Sequence, residues 1–134
     1  LDLICTVPAA RWALRDVVTD SDVVAHRASH GGFVEGADGF DNRIFSISPA
    51  EAGSMDPQQR LLLEHGYAAL HCGVPGMGTP GSTTAVCVGI QALDFMVLLA
   101  ESGAAASVYA ATGYQHAIAS GRLSYVLGLH GPCA

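Results

Sequence analysis

The apolar and polar positions are most sharply written around Met55-Asp56-Pro57-Gln58-Gln59-Arg60 and the run Leu61-Leu62-Leu63-Glu64 behind it. Asp56 is placed to cap a helix by accepting from the free amides of the first turn. Pro57 falls at the first helical position, where its missing N–H costs nothing. Gln59, three residues after the cap, is placed to reach back to the amide of Asp56 and close a capping box. Ser48-Pro49-Ala50-Glu51 repeats this grammar just upstream, so a short helix runs into a longer one with a corner near Gly53 to Met55. The longer helix, about Pro57 to Cys72, sets Leu63, Tyr67 and Leu70 on one stripe, with Leu62, Gly66 and Ala69 beside it. Gly66 in mid-helix predicts a close neighbour, since glycine costs about 1 kcal/mol against alanine there, and Gly73 is placed to end the helix.

Elsewhere the pattern gives shorter elements. Residues 1 to 24 carry no clean period and read as an extended entry, Pro8, and a turn or helical piece around Trp12; residues 25 to 39 read as a glycine-rich loop ordered by Phe33 and Phe40. Val74 to Ser82 is a Gly/Pro loop. Thr84 to Ile90 reads as a strand with both alternate sets, Val86/Val88/Ile90 and Ala85/Cys87/Gly89, apolar or small. That composition predicts burial on both faces of a mostly parallel sheet. Asp94 to Glu101 is a short, almost wholly apolar helix, expected in an interior or interface; Ser107 to Ala111 reads as a short strand. Gln115 to Leu127 is the last helix, with Ile118, Gly121, Tyr125 and Leu129 as its seam, Gly121 marking close packing and Gly128 the helix end. Helices alternating with strands give an α/β fold of layered helices on a mostly parallel sheet.

Composition narrows the function classes. Half of the 134 residues are apolar and 13% are charged, which excludes a disordered chain. The net charge is −6 and all six positive residues are arginines without a run, so nucleic-acid binding has little support. No apolar run approaches the ~20 residues that span a bilayer. The start, Leu1-Asp2-Leu3-Ile4, has no initiator methionine and no cleavage pattern, so it is read as cut from something longer. Cys5, Cys72, Cys87 and Cys133 are widely spread, as expected of free, mostly buried thiols in a reducing compartment.

Several motifs are weighed and set aside. Gly76-Met77-Gly78-Thr79-Pro80-Gly81 has dinucleotide-fingerprint spacing but follows a helix and precedes a strand, and Pro80 removes a donor a phosphate would need. It is read as a surface loop. His26 and His30, and the group His65, His71 and Cys72, do not supply four metal ligands at usable spacing, and no metal site is assigned. Arg60 and Arg122, inside otherwise apolar helices, are read as anchors for loop carboxylates or carbonyls.

Phe40-Asp41, the segment from Phe45 to Ala52, and Met55 to Glu64 together resemble the N-terminal part of beta-ketoacyl synthase domains, closest to the ketosynthases of type I-like polyketide synthases. A second match comprises Tyr109, Ala111-Thr112-Gly113, Ala119, the run Gly121 to Leu129, and Gly131-Pro132; Val7-Pro8 with Arg11-Trp12 is a weaker third. The match follows the family's order along the whole chain. It departs at Tyr67, where Trp is commoner, at Ala50, where Arg is usual, and at a helix end one residue short at Leu70 to Gly73.

The resemblance implies a partial thiolase-like fold, residues 1–134 being most of an N-terminal half truncated at both ends. It implies decarboxylative Claisen condensation of acyl and malonyl-type thioesters, in polyketide or fatty-acid synthesis, by the full-length parent. The nucleophilic cysteine and two histidines are expected downstream of Ala134, so no catalytic residue is assigned within the chain. Cys133 stands several positions too early after Pro132 and is read as a buried strand position. Thr112 and Tyr114 are the candidate substrate-binding residues. No cofactor is bound directly, the substrate arriving on the phosphopantetheine of an acyl carrier protein. The implied partners are that carrier and a second copy in a homodimer, in the cytoplasm or an organelle stroma. The alternatives are a ketosynthase-like non-catalytic dimer partner or chain-length-determining subunit, and a complete small binding domain.

Overall fold

The computed structural model describes residues 4–9, 11, 21–73, 79–91 and 94–134, so the expected turn at Trp12 and the first half of the Gly76 to Gly81 loop lie outside the described residues. The chain divides into two compact units, Leu1–Gly36 and Ala37–Ala134.

In the first unit, β1 (Ile4–Thr6) pairs antiparallel with β2 (His30–Gly32) in the register Ile4↔Gly32, Cys5↔Gly31, Thr6↔His30. The Val7 amide extends the ladder by donating to the Ser29 carbonyl at 3.0 Å. Helix α1 (Asp22–Ala28) carries Asp22 in its first turn and Arg27 in its last, each charge on the side that the helix dipole favours. Residues 25 to 39 are therefore not one loop: a helix end and a strand occupy the first half of that stretch. Alternating small residues around Gly31 and Gly32 hid a strand whose partner lies more than twenty positions upstream.

The second unit is helical. Helix α2 (Pro49–Ser54) is capped by Ser48, whose Oγ accepts from the Glu51 amide at 3.1 Å. Met55, with no exposed surface, turns the chain into α3 (Pro57–Cys72), whose bounds are those that the capping residues predict. After it come α4 (Asp94–Glu101), a 3₁₀ turn at Ala104–Ala106, α5 (Ala110–Tyr114) and α6 (Ala117–Val126).

The core gathers Phe45, Ile47, Met55, Leu63, Val86, Leu123, Leu127 and Leu129, where α3 packs on α6. Burying each of these large side chains contributes about 2 kcal/mol. Phe40 stacks on Phe45 at 5.4 Å between centroids, and Tyr67 meets Phe45 edge-on at 6.0 Å, so the α3 stripe continues into the preceding loop. That loop is pinned by Asn42, whose Nδ2 donates to the Ile47 carbonyl at 2.6 Å.

Gly66 has the expected close neighbour: a Cβ there would lie 2.8 Å from Leu123 Cδ1. Because the obstacle is a side-chain end, Leu123 can rotate at the expense of its own packing. Gly66→Ala is expected to lower stability by about 1–2 kcal/mol, overpacking outweighing the gain in helix propensity. A chemical-denaturation midpoint equal to or above that of the parent protein would contradict this.

Three expectations give way to the geometry, and a fourth, the end of α3 at Gly73, holds in place but not in conformation. Gly73 ends α3 with φ −86, not in the left-handed region; it is glycine because a Cβ would lie 2.6 Å from the Ala69 carbonyl oxygen. Ser107 to Ala111 is not a strand but a turn entering α5. The buried face of α6 is Ala119, Ser120, Leu123 and Ser124, while Tyr125, placed on the expected seam, is 87% exposed. Two of the buried positions on that face are serines, Ser120 and Ser124, which a purely apolar seam could not reveal. Gly121 is not tightly packed, its nearest neighbour to a Cβ being Cys133 Sγ at 4.0 Å. Gly128, by contrast, does end the helix with φ +65 in a Schellman arrangement: its amide donates to Tyr125 and that of Leu129 to Ser124.

The Thr84 to Ile90 stretch is extended and makes one parallel bridge, Val86↔Cys133. The Val86 and Val88 amides donate to Pro132 and Ala134, and the Ala134 amide returns to Val86, at 2.9–3.0 Å. Only Val86 is buried; Ala85, Cys87 and Gly89 face outward, so burial on both faces does not hold within this chain. Gly131 permits the approach, since a Cβ there would lie 2.2 Å from the Thr84 carbonyl oxygen.

Candidate functional site

The two sequence-nominated residues, Thr112 and Tyr114, lie on α5, a five-residue helix too short to hold itself by its own hydrogen bonds. What holds it is the N-terminal end of α3. Asp56 is 3% exposed, and its carboxylate accepts from the Gln58 amide at 2.7 Å, as an N-cap should. The expected capping box does not form. The Asp56 amide instead donates to the Gly113 carbonyl at 2.9 Å. Gln59, 1% exposed, turns its side chain the same way, Nε2 donating to the carbonyls of Thr112 at 3.2 Å and Gln115 at 3.3 Å. A glutamate at that position would suit a capping box, but only the amide has donors to give to carbonyls.

Gly113 makes the approach possible. A Cβ on it would lie 1.8 Å from the Ser54 carbonyl oxygen, so the α5 backbone rests directly on the corner between α2 and α3. Three carbonyls in four residues, those of 112, 113 and 115, are thus held by Asp56 and Gln59. Sequence reasoning placed Gln59 within its own helix and gave Gly113 no role. The available signal was an amide rather than a carboxylate at the third helical position, and a glycine between two larger residues in a helical stretch.

Both nominated residues are half-buried. The Thr112 hydroxyl donates to the Tyr109 carbonyl at 3.1 Å, so its donor is committed within α5. Beside the clamp, Ser54 Oγ meets Ser107 Oγ at 3.2 Å, tying α2 to the turn before α5.

Arg122 does anchor a carboxylate: it pairs with Glu51 on α2, with side chains 9% and 26% exposed, lining a groove with Ile44 and Ser46. Arg60 has no such partner on its buried Nε. A second, larger groove of about 420 Å³ runs between α3 and the extended 84–88 stretch, its walls apolar apart from His65 and Thr84. Cys5, Cys72, Cys87 and Cys133 are free but exposed, not buried as their composition suggested. Cys133 does occupy an extended bridging position, as expected, though on the surface. Among the described residues no three His, Cys, Asp or Glu side chains gather closely enough to hold a metal ion, and no helix is long and apolar enough to cross a membrane.

The family model for the beta-ketoacyl synthase N-terminal domain matches residues 1–134. The chain is 42% identical over 132 residues to a phenolphthiocerol/phthiocerol polyketide synthase of Mycobacterium tuberculosis, covering 96% of the chain and 9% of the relative. It is 36% identical to a mycocerosic acid synthase-like polyketide synthase of Mycolicibacterium smegmatis, over 98% of the chain and 6% of that protein. In structure it resembles the ketosynthase from module 6 of the bacillaene synthase of Bacillus subtilis, with TM-score 0.74 and 29% identity, over 96% of this chain and 20% of that one. A ketosynthase domain of the oxazolomycin system of Streptomyces albus matches with TM-score 0.74 and 25% identity, over 98% of this chain and 24% of that one. The chain thus spans less than a tenth of the length of these curated relatives.

Proposed function

The chain belongs to the beta-ketoacyl synthase family as part of its N-terminal domain, and from this we propose that its full-length parent condenses acyl and malonyl-type thioesters by decarboxylative Claisen chemistry. The fold is partial thiolase-like, and the observation that carries the reading is the match along the whole chain to polyketide synthases at 42% identity. In this proposal residues 1–134 are scaffold, most of the N-terminal half of the domain truncated at both ends. The thiolate nucleophile and two histidines lie beyond Ala134. A cysteine at a helix N-terminus is made nucleophilic by a lowered pKa, and it needs proton-transfer partners held in the same pocket.

Substrate acyl groups arrive on the phosphopantetheine of an acyl carrier protein, with Thr112 and Tyr114 against the acyl group. Thr112 presents its methyl and an acceptor oxygen, its hydroxyl proton being given to Tyr109. The parent is proposed to be a cytoplasmic homodimer. The exposed apolar side chains of α4, Met96, Val97 and Leu98, together with Val108, suit a protein interface.

The test is acyl transfer from a labelled acyl-phosphopantetheine donor to the full-length protein, read by intact and peptide mass spectrometry. Acylation on a cysteine beyond residue 134 supports condensation. A non-nucleophilic residue at that position, with no acylation, supports the non-catalytic partner role instead. Residues 1–134 alone are expected to take up no acyl group and to show no turnover, since loss of a nucleophile and its partners costs orders of magnitude. Stoichiometric acylation at Cys133, abolished by Cys133→Ala, would overturn this placement of the nucleophile.

A further inference from the structure

We infer that Gln59 is a positioning residue for acyl-chain selectivity: from the start of α3 it fixes the backbone at Thr112 and Gln115, and so the wall that the acyl group meets. The inference rests on the proposed contact of Thr112 and Tyr114 with substrate.

Gln59 is 1% exposed and sits at the third position of a sixteen-residue helix, where a solvent-facing or apolar side chain is the ordinary choice. Its Nε2 serves two carbonyls of a different helix pair, at 3.2 and 3.3 Å, more than fifty positions away in sequence. Its Oε1 is buried without a hydrogen-bond partner. An amide that leaves half its capacity unused is an expensive way to fill a core position. What it supplies, and an apolar side chain does not, is a fixed distance between α3 and the stretch Thr112 to Gln115.

That stretch has little regular structure of its own, resting on the α2–α3 corner at Gly113 and tied ahead of it by Ser54 to Ser107. Helix α5 is five residues long, Gln115 is already extended, and α6 starts without a side-chain cap at His116. The second fixed point is the Asp56 amide on the Gly113 carbonyl at 2.9 Å. The contact at Gly113 fixes one point of α5; the two Gln59 bonds, on either side of it, fix the backbone orientation about that point. Tyr114 lies between the two carbonyls that Gln59 holds, so the backbone from which its side chain departs is held by the same pair of bonds. Loosening them changes the shape of the wall while leaving the chemistry, which lies elsewhere, intact.

The experiment uses the full-length synthase with Gln59→Leu, Gln59→Met and Gln59→Glu, and a series of acyl donors from short to long chains. The expected result is a change of about tenfold or more in the ratio of KM for long over short donors, the scale on which pocket shape discriminates alkyl groups. The kcat for the preferred donor stays within about threefold. Gln59→Met, unbranched and close in volume, covers the case in which Leu does not fold. Amide hydrogen exchange over residues 110–118 accelerates in the same variants while the middle of α3 stays protected.

A purely structural Gln59 predicts something else: a lower melting temperature with an equal loss for every donor. Equal loss across the series, or unchanged exchange at 110–118, overturns the inference. Thr112→Ser and Tyr114→Phe separate it from the reading beneath it. If these two shift the chain-length profile and the Gln59 variants do not, the clamp is wrong. If the Gln59 variants shift it and these two do not, the clamp stands and the contact residues are misassigned.

Discussion

Gly113→Ala is expected to cost at least about 3 kcal/mol of stability and to abolish soluble expression if the margin is ordinary. The added methyl would lie 1.8 Å from the Ser54 carbonyl oxygen and 2.8 Å from its carbon. Both are main-chain atoms at the α2–α3 corner, so no rotamer change relieves the overlap. Relief requires α5 to lift away. That breaks the Asp56 amide to Gly113 carbonyl bond at 2.9 Å, strains the Gln59 bonds beside it, and leaves polar groups unpaired around residues that are 3% and 1% exposed. Gly53, inside α2, is the control: a Cβ there meets nothing within 4 Å. Gly53→Ala is accordingly expected to be neutral or stabilising by up to about 1 kcal/mol through helix propensity. Melting temperatures of the two variants, measured side by side, decide the matter. A Gly113→Ala protein within a degree or two of its parent would remove the close approach from consideration.

The contrast between these glycines shows what a single chain discloses about itself. Helix bounds at Pro57 and Cys72 were legible because the signals are local: a cap, a proline and a run of apolar residues within a few positions. The tie between Gly66 and Leu123 was legible in kind, since glycine inside a helix needs a reason, but not in identity, since Leu123 is nearly sixty residues away. The α5 clamp was not legible. Gln59 fits a capping box as well as it fits the carbonyls of Thr112 and Gln115, and only the position of α5 chooses between them.

The strand expectation failed in a related way. The residues of 84–90 have strand character, but a strand is completed by its neighbours, and here Pro132 to Ala134 supply a ladder three residues long. The same holds for burial of the cysteines, which composition can suggest and only packing can assign. Family membership was the most legible property, because it rests on many ordered positions and not on any one contact.

The ion pair between Arg122 and Glu51 gives the second large effect, and its two halves are not equivalent. Removing Arg122 as Arg122→Met leaves a carboxylate that is 26% exposed, which water can still reach, and a methionine that fills much of the stem's volume. The expected cost is about 1–2 kcal/mol. Removing the carboxylate as Glu51→Ala leaves a guanidinium that is 9% exposed, with its Nε already lacking a partner. A buried cation without its counter-charge is the costlier remnant, and α2 also loses the acidic residue in its first turn that favours its dipole. Glu51→Ala is therefore expected to cost about 3 kcal/mol, near the lower end for breaking a buried pair. The double variant, Glu51→Ala with Arg122→Met, strands no charge and is expected to be more stable than Glu51→Ala alone. Urea denaturation of the three variants and the parent closes the cycle. If the single effects add within about 0.5 kcal/mol, the two groups do not act as a pair.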